Sequence, residues 1–464
     1  MLVGFIIFYL LGTLAIGYWA SRRVKSTQDF VIAGRKLPLG VAASALFATW
    51  FGSETIMGAS SEFVSGGVLG VIEDPFGAAL CLILVGAFVA RPLYKLNILT
   101  FNDYFRMRYD RRTEVISAVF TVPSYFGWIA AQLIALAIIL QLLLGVPLWA
   151  GILICMLVVL FYTYIGGMWA VSVTDFVQTI IIVLGLSVLF FSITDQAGGL
   201  GNVIQNTPED FFNILPASDL HSMVHYFAAW ITIGLGSIPQ QDIFQRVMAA
   251  KSEKVSVQSA YLAGIMYLTI GFLPLMIGLA GSQIYPEVLA EKDPQMALPQ
   301  LVLHHAGFPL QILFFGALLS AILSTTSGAM LAPATVIGEN LVRPQFKNLS
   351  DKQILQIMRW CVLGVALCSA GIAFASSNIY ELVGQSASLS LVSLFVPLAA
   401  GLYWKRANRH GSFWAIVLGG FVWLVCEIVG TSLPSLVYGL MASITAMIAG
   451  SLLTTPKMNM DEGK

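Results

Sequence analysis

Charge is scarce in this chain. Asp, Glu, Lys and Arg make up 10% of its 464 residues, whereas a soluble domain carries about 25%. Hydrophobic residues reach 58%, so too few polar side chains remain to cover the surfaces of two or three soluble domains. This composition excludes a soluble enzyme, a nucleic-acid-binding protein and a disordered chain. It predicts a polytopic membrane protein.

Two further features are missing. The five cysteines are odd in number and lie in apolar runs, so we expect neither a disulfide framework nor a metal site built from cysteine. Alternation of apolar and polar residues at the strand period is also absent, which argues against a transmembrane β-barrel. We therefore expect an all-α membrane protein.

Long apolar runs supply the helices. A helix that crosses a bilayer needs about 20 apolar residues, and we count thirteen candidate segments. The first is followed by Arg22 and Arg23 rather than by a small-residue cleavage site, so we expect it to remain as a helix. The thirteen segments are 3–20, 38–64, 68–90, 114–143, 147–166, 171–193, 223–241, 256–281, 308–336, 354–376, 380–404, 410–430 and 434–454.

The basic residues indicate the orientation, because Lys and Arg accumulate in cytoplasmic loops. With the amino terminus outside, every basic residue except Lys292 falls on the inner side, including Arg246 and the tail at 456–464. The outer loop at 194–222 carries four acidic residues and no Lys or Arg. We expect a multi-pass protein of the cell (inner) membrane with its carboxyl terminus in the cytoplasm.

Two spans are weakened at matching positions. Gly and Ser interrupt 38–64, and Gly, Ser and Pro interrupt 223–241, which lies five spans later. Interrupted helices at corresponding places are typical of transporters built from inverted repeats. The pattern predicts one repeat over 38–193 and a second over 223–404, within a single domain over 1–455. Small residues also permit close helix packing, which is the alternative explanation for either span alone.

Two adjacent hydroxyl groups later in the chain could contact the backbone of the first interruption. Unwound backbone inside a membrane must be satisfied by protein, water or an ion, and free carbonyls can bind a hard cation. Adjacent hydroxyls at Ser324 and Thr325 can point at the unwound stretch 48–52. Ser and Thr in membrane helices also bond to their own backbone, so these hydroxyls alone do not identify an ion site.

Three motifs together resemble one transporter family. The stretches 162–178, 244–246 and 321–327 are similar to motifs of the sodium:solute symporters, and the resemblance covers about residues 1–455. It implies a LeuT-type core of five plus five helices in inverted repeats, with one helix before it and two after it. It also implies uptake of a small solute by alternating access, driven by sodium.

The resemblance further implies the ligands of the sodium ion. Main-chain carbonyls of Ala48, Phe51 and Ala321 would bind it, together with the hydroxyls of Ser324 and Thr325.

A second sodium is found in some members of this family. It lies beside an aspartate that aligns with Asp175, where serines aligning with Ser324, Ser327 and residue 328 assist it. Residue 328 is Gly in this chain. One oxygen ligand of a second sodium is therefore missing.

Within the family the likeness is to choline transporters. It is carried by the stretches 48–50, 238–246 and 350–352. The quaternary ammonium group of choline cannot donate a hydrogen bond, so ring faces hold it, with about 2 kcal/mol or more from each contact when desolvated. Trp50 and Trp128 align with two tryptophans of that cage.

The third cage position departs from the pattern, because Gln240 aligns with it. Thr55 and Glu73, in and after the first interrupted helix, complete the candidate solute-binding residues. Glu54 and Asp74 are further candidates, because carboxylates inside a membrane are costly and usually functional. No Lys or Arg is expected at membrane depth, so the solute is expected to be an amine, a quaternary ammonium or a zwitterion rather than an anion.

Several alternatives remain open. The coupling ion could be a proton, with Asp175 or Glu54 titrating, and the solute could be an amino acid, a sugar or a monocarboxylate. A membrane sensor module acting through a separate partner is a different class of function. An enzyme is disfavoured, because no catalytic constellation lies at one depth. The expected partners are the solute, sodium and the bilayer, without nucleic acid, and the protein is expected to be a monomer or a weak oligomer.

Overall fold

The structure is a computed structural model. It describes residues 2–286, 294–346, 349–376 and 378–454. Lys292 and the predicted tail at 456–464 lie outside these ranges. Within them the chain is helical, without a strand, and one isolated bridge joins Leu37 to Ala250.

Twenty-two α-helices make up the described chain. They are α1 Leu2–Ser21, α2 Thr27–Ile32, α3 Leu39–Trp50, α4 Ser60–Gly66, α5 Ala78–Leu84, α6 Ala90–Leu96, α7 Phe101–Arg108, α8 Arg111–Thr121, α9 Phe126–Leu144, α10 Leu148–Gln196, α11 Leu200–Gln205, α12 Leu220–Gly236, α13 Gln241–Ala249, α14 Glu253–Ile270, α15 Phe272–Ile284, α16 Ala297–His305, α17 Phe308–Val336, α18 Asp351–Ala375, α19 Ile379–Ser390, α20 Val396–Tyr403, α21 Arg409–Val429 and α22 Ser435–Leu453. Short 3₁₀ or π turns continue several of them, at Ala33–Arg35, Glu54–Ala59, Val68–Val71, Ile72–Gly77, Val85–Val89, Pro123–Tyr125, Pro294–Met296, Ile337–Val342, Arg343–Gln345 and Leu391–Phe395.

Nine helical stretches among the described residues are long and apolar enough to cross a membrane. The chain is therefore a multi-pass membrane protein. All thirteen predicted segments overlap helices, but 3–20, 38–64, 147–166 and 223–241 have no counterpart among the nine stretches, and the number of crossings stays a prediction. The nine stretches are Val68–Leu96, Arg111–Leu144, Gly167–Gln196, Glu253–Ile284, Phe308–Gln345, Asp351–Ala375, Ile379–Tyr403, Arg409–Val429 and Ser435–Leu453.

The first predicted interruption is present. Helix α3 ends at Trp50, and Phe51 adopts φ −73° and ψ 78°, which are the angles of an inverse γ-turn. The turn is closed by a hydrogen bond of 2.7 Å from Gly52 N–H to Trp50 O. Helical structure resumes at Glu54 with a wide π turn. The helix is therefore broken at residues 51 and 52, deep inside the helix bundle.

The second interruption lies between α12 and α13. Helix α12 ends at Gly236, and the chain turns through Pro239 before α13 begins at Gln241. A Cβ on Gly236 would lie 2.5 Å from the carbonyl oxygen of Ala387, so a residue without a side chain permits this close approach to α19. Every residue of α13 is buried, which makes it an internal helix.

A single glycine separates two of the predicted spans. The segments 147–166 and 171–193 form two helical parts of α10, which meet at a kink at Gly167. Gly167 has φ 52°, and a Cβ there would overlap the ring of Phe30. The conformation and the crowding both require glycine at this position.

The helices are organised around the first interruption. Helices α10, α13, α14 and α17 pack against α3, and one large apolar core runs from α2 to α20. Helices α21 and α22 pack mainly against each other. Ala415 of α21 and Met447 of α22 belong to a small apolar cluster that is separate from the large core. The last two helices are thus peripheral, as expected for additions to a central core.

Candidate functional site

The interruption of α3 frees a backbone carbonyl. In an unbroken helix Gly52 N–H would donate to Ala48 O, but here it turns to Trp50 O. Ser53 N–H also leaves the helical pattern and donates to Gln132 Oε1 at 3.0 Å. The carbonyl oxygen of Ala48 therefore lacks its usual helical donor inside a fully buried region.

The freed carbonyl meets the hydroxyls of α17. Ser324 Oγ lies 3.0 Å from Ala48 O, and Thr325 Oγ1 lies 3.2 Å from the same oxygen. Phe51 forms the turn beside this point, and Ala321 lies one turn before Thr325 on α17. The five residues predicted as sodium ligands are all fully buried, and the structure brings three of them into direct contact.

Ser324 has two acceptors but one proton. Its hydroxyl is within hydrogen-bond distance of Ala48 O and also of Asp175 Oδ1, and it can donate to only one of them. Donation to the carboxylate of Asp175 is the stronger choice, because the acceptor is charged. The lone pairs of Ser324 then face Ala48 O, an arrangement that a bare cation between these oxygens would stabilise.

Ser327 behaves differently from Ser324. Its hydroxyl donates to Ser324 O at 3.0 Å, within the same helix. The predicted group for a second sodium is therefore incomplete: Asp175 contacts Ser324, whereas the side chain of Ser327 is engaged by its own backbone.

A small cavity lies beside the interruption. Its empty space is about 330 Å³, part of which is open to solvent. Trp50, Trp128 and Gln240 line it as predicted, and no Lys, Arg or His is among its described lining residues. The complete lining is Trp50, Glu54, Asp74, Ala78, Trp128, Ile233, Ser237, Gln240, Tyr267, Val383, Ser386 and Ala387.

Glu54 is held in the wall of this cavity. Its Oε1 accepts a hydrogen bond of 2.9 Å from Trp128 Nε1, and its Oε2 accepts one of 2.6 Å from Gln132 Nε2. The carboxylate thus orients the indole ring of Trp128 toward the cavity. Gln132 also accepts from Ser53 N–H, so it ties the unwound backbone to Glu54.

One carboxylate oxygen of Asp74 lacks a hydrogen-bond partner among the described residues. Its Oδ2 accepts a hydrogen bond of 2.6 Å from Thr55 Oγ1, whereas its buried Oδ1 has no hydrogen-bond partner within the described part of the chain. Thr55 Oγ1 also lies 2.7 Å from the hydroxyl of Tyr267. Asp74 and Tyr267 line the cavity and Thr55 does not, so Thr55 contacts the cavity wall from behind.

Glu73 faces a different space from its neighbour. The backbone of Asp74 is extended, with φ −144° and ψ 120°. Glu73 therefore lines a second cavity, of about 920 Å³, with Thr232, His225 and Tyr380. The prediction that Glu73 belongs with Trp50 and Trp128 is not matched by this geometry.

Trp50 is positioned by an acid that the sequence analysis did not select. Its Nε1 donates a hydrogen bond of 3.0 Å to Asp242 Oδ2, and the Tyr125 hydroxyl donates to Asp242 Oδ1. Asp242 lies near the start of α13, directly after the second interruption. A carboxylate beside an interrupted helix is the signal that could have identified it. Nothing in the sequence pointed to Tyr267.

Arg246, which the sequence analysis assigned to the inner side of the membrane, lies in the buried helix α13 rather than in a loop. Its side chain is 1% exposed. Its Nε donates to Ala45 O and its Nη1 to Asp242 O, both at 3.1 Å, and its Nη2 lies 3.9 Å from Asp175 Oδ2. Because α13 is an internal helix, its basic residue is enclosed. Arg246 does not line the cavity.

Sequence comparisons agree with these motifs. The profile of the Sodium:solute symporter family matches residues 30–419. The chain is 28% identical over 447 residues to the high affinity choline transporter 1 of Homo sapiens, covering 91% of this chain and 76% of that protein. It is 27% identical over 467 residues to the high-affinity proline transporter PutP of Bacillus subtilis (strain 168), covering 95% and 96%.

Structural comparisons identify the fold. A Na⁺-coupled sialic acid symporter, solved in a substrate-bound outward-open state, superposes with a TM-score of 0.83 at 21% identity, covering 98% of both chains. Mhp1, a nucleobase-cation-symport-1 family transporter, gives a TM-score of 0.61 at 16% identity and covers 90% of this chain and 93% of its own. The described chain thus shares its helical architecture with LeuT-type transporters.

Proposed function

This chain belongs to the sodium:solute symporter family, and from that premise we propose that it carries a small organic cation across the membrane together with sodium. Its family and its relatives are transporters and not enzymes. The cation is an amine or a quaternary ammonium compound of about the size of choline. The observation that carries this choice is the unpartnered Oδ1 of Asp74 in an aromatic cavity.

The charge of the cavity favours a cation. Glu54 and Asp74 both line it, and its described lining contains no basic side chain. A buried carboxylate without a positive partner is unfavourable, so a bound ammonium group would compensate Asp74. An anionic solute would add a further negative charge, and the buried Arg246 is committed elsewhere.

The rings of the cavity favour an ammonium group in particular. Trp50, Trp128 and Tyr267 line it, and aromatic faces attract such cations, by about 2 kcal/mol or more each when desolvated. Gln240 takes the position of a third ring and offers a hydrogen-bonding amide. A solute with a hydroxyl group or an N–H group beside its cationic centre would use both features.

A zwitterion is the second candidate, because one relative is a proline transporter that matches nearly the whole chain. Its ammonium group would suit Asp74 in the same way. Its carboxylate would need sodium or a helix amino terminus, since the described lining offers no basic side chain. The cation is therefore preferred.

Sodium has a mechanical role in this proposal. Ala48, Phe51, Ala321, Ser324 and Thr325 bind it, so that the ion ties the interrupted helix α3 to α17. Its release would let the two helices part. Each sodium that moves inward gains about 2.3 kcal/mol per 100 mV of inside-negative potential.

The interruption of α3 contributes both to the proposed sodium site and to the cavity proposed for the solute. Ala48 O faces the hydroxyls of α17, while Trp50 and Glu54, a few residues later, line the cavity. An ion that fixes the backbone at Ala48 therefore also fixes the cavity wall, which gives a short physical path for coupling.

The proposal includes the finer architecture. The thirteen predicted helices cross the membrane, with inverted repeats over 38–193 and 223–404 inside a single domain over 1–455. The amino terminus lies outside and the tail at 456–464 lies in the cytoplasm. In this orientation the cavity at Glu73 is the outer vestibule.

Thermal unfolding of the purified protein tests the function. Choline, proline and sialic acid are each added in sodium chloride and in potassium chloride, and the melting temperature is measured. We expect choline to stabilise the protein in sodium only, because a ligand that binds the folded state raises the unfolding temperature. Asp74→Asn should abolish the effect of choline and keep the effect of sodium alone.

Other outcomes would identify the alternatives. Stabilisation by proline and not by choline would indicate that the solute is a zwitterion and not a cation. Equal stabilisation in potassium would refute sodium coupling, and a dependence on pH without sodium would indicate protons.

A further inference from the structure

Arg23 lies between two aromatic rings beside the kink of α10. Its guanidinium carbon is 5.1 Å from the ring centre of Trp19 and also 5.1 Å from that of Trp169. Trp19 belongs to α1, and Trp169 follows the kink at Gly167 by two residues. The charge of Arg23 is therefore held where α1 meets α10.

A second arginine lies on the other side of the same kink. The guanidinium carbon of Arg359, on α18, is 5.5 Å from the ring centre of Tyr164, which precedes Gly167 by three residues. Gln356, one turn earlier on α18, donates a hydrogen bond of 2.8 Å to the hydroxyl of Tyr164. Both helices that flank the kink thus bring a positive charge to it.

The exposed rings indicate the depth of this region in the membrane. Tyr18 and Trp19 at the end of α1 and Trp360 on α18 are each more than half exposed. Arg22 lies 5.4 Å from the ring centre of Tyr18. Tyr and Trp at the ends of membrane helices lie at the level of the lipid headgroups, so the neighbouring arginines lie there as well.

These arginines lack acidic partners. Arg91 and Arg343 each pair with a glutamate, whereas Arg22, Arg23 and Arg359 form no ion pair within the ranges that the structure describes. Uncompensated charges in one small region repel each other, and an anion between them would relieve this repulsion.

The acids of the adjoining segments contact other groups. Asp29 Oδ2 accepts a hydrogen bond of 3.0 Å from the hydroxyl of Ser26, and Asp351 Oδ1 accepts one of 3.3 Å from Thr27. Residues 21–36 contain five basic side chains and one acidic side chain. The region at the end of α1 therefore keeps an excess of positive charge.

The stacked guanidinium groups can still donate hydrogen bonds. A ring that lies over the face of a guanidinium group leaves the N–H bonds in its plane accessible, and this planar fork matches the oxygens of a phosphate. At headgroup depth the available phosphates belong to phospholipids. A lipid with a net negative charge suits the excess of arginine, whereas the amine of a zwitterionic lipid would be repelled.

We propose that Arg23, with Arg22 and Arg359, binds the phosphate of an anionic phospholipid beside the kink of α10. In the proposed orientation this lipid belongs to the inner leaflet. Helix α1 packs against α10, and Arg23 contacts a ring of each helix. The bound headgroup therefore holds α1 against the core of the protein.

Thermal unfolding of the full chain in a neutral detergent tests the proposal. Phosphatidylglycerol, phosphatidylcholine with the same acyl chains, or inorganic phosphate is titrated in potassium chloride, without sodium or solute. We expect phosphatidylglycerol alone to raise the melting temperature with a saturating dependence, because a ligand that binds the folded state stabilises it. Inorganic phosphate separates a lipid site from a site for any small phosphate.

Substitutions locate the site. Arg23→Gln and Arg359→Gln should each raise the phosphatidylglycerol concentration for half-maximal stabilisation by about tenfold, because a charge-assisted hydrogen bond is lost. Arg112 is the matched control: it is exposed at the start of α8 and has no ion pair or ring contact within the described chain. Arg112→Gln should keep the wild-type titration.

The proposal is overturned if phosphatidylglycerol does not stabilise the wild type, or if phosphatidylcholine or inorganic phosphate stabilises it equally. An unchanged titration in Arg23→Gln, or an equal loss in Arg112→Gln, would also overturn it. The sodium dependence of the melting temperature is measured separately and should be the same in Arg23→Gln as in the wild type. A wild type without sodium dependence would refute the proposed symport and leave the lipid site standing.

Discussion

Thr325 offers the sharpest test of the proposed sodium site. Thr325→Val replaces the hydroxyl with a methyl group and keeps the β-branched shape. The hydroxyl lies 3.2 Å from Ala48 O, in a fully buried position. The substitution thus removes one proposed oxygen ligand and one of the two hydroxyls that contact the Ala48 carbonyl.

The size of the effect follows from the charge of the ion. An interaction between a polar group and a charged group contributes about 1.5–3 kcal/mol, and each 1.4 kcal/mol is about a factor of ten in affinity. We expect the sodium concentration for half-maximal effect to rise by about 10- to 100-fold in Thr325→Val. Titration of the melting temperature with sodium measures it, with potassium keeping the ionic strength constant.

The adjacent residue provides a matched control. Thr326 is also fully buried, but its hydroxyl donates to Ile322 O within α17. Thr326→Val therefore removes an identical group without touching the proposed site, and its sodium titration should resemble that of the wild type. The reasoning is refuted if Thr325→Val keeps the wild-type sodium dependence, or if both variants shift equally.

Three further substitutions test the cavity and the interruptions. Asp74→Asn should reduce uptake of choline by about 100-fold or more, because a charge-assisted contact is lost; wild-type uptake would contradict a cationic solute. Gly52→Ala places a Cβ within 2.7–2.8 Å of three side-chain oxygens and should weaken sodium binding in the same titration, whereas Gly66→Ala enters open space and should not. Gly167→Ala should lower the melting temperature more than Gly145→Ala. Gly145 is left-handed, with φ 67° and ψ 16°, which costs about 1–2 kcal/mol for alanine; Gly167, with φ 52° and ψ −162°, lies in a region essentially restricted to glycine and also meets a ring. Equal losses would contradict this reasoning.

The course of the helices was largely predictable from the sequence. Apolar runs mark the membrane spans because the interior of the bilayer is apolar. Each span is helical because its backbone groups must form hydrogen bonds within the span. Gly and Ser marked the first interruption and Gly, Ser and Pro the second, and the structure confirms their existence at residues 51–52 and 237–240. The resemblance to the symporter family is likewise confirmed. The roles proposed for individual site residues remain predictions.

Helix boundaries were less predictable than helix positions. The second span was expected over 38–64 with an unwound stretch at 48–52; helix α3 ends at Trp50, and the next helical element begins at Glu54. Composition shows that a helix is weak in a region. It does not show at which residue the helical hydrogen bonds end. Whether Gly52 N–H donates to Ala48 O or to Trp50 O depends on the surrounding contacts.

By itself the sequence determined the class of protein and its two weakened spans, and the family resemblance led us to expect neutral oxygens of Ala48 and Ser324 at one place. The tertiary structure alone decided which acids share a space. It turned Asp74 into the cavity and Glu73 into the neighbouring one, and it enclosed Arg246 beside Asp175. Hydropathy and composition are local properties of the chain, whereas the pairing of buried charges depends on groups that are far apart in sequence and meet only when the helices pack.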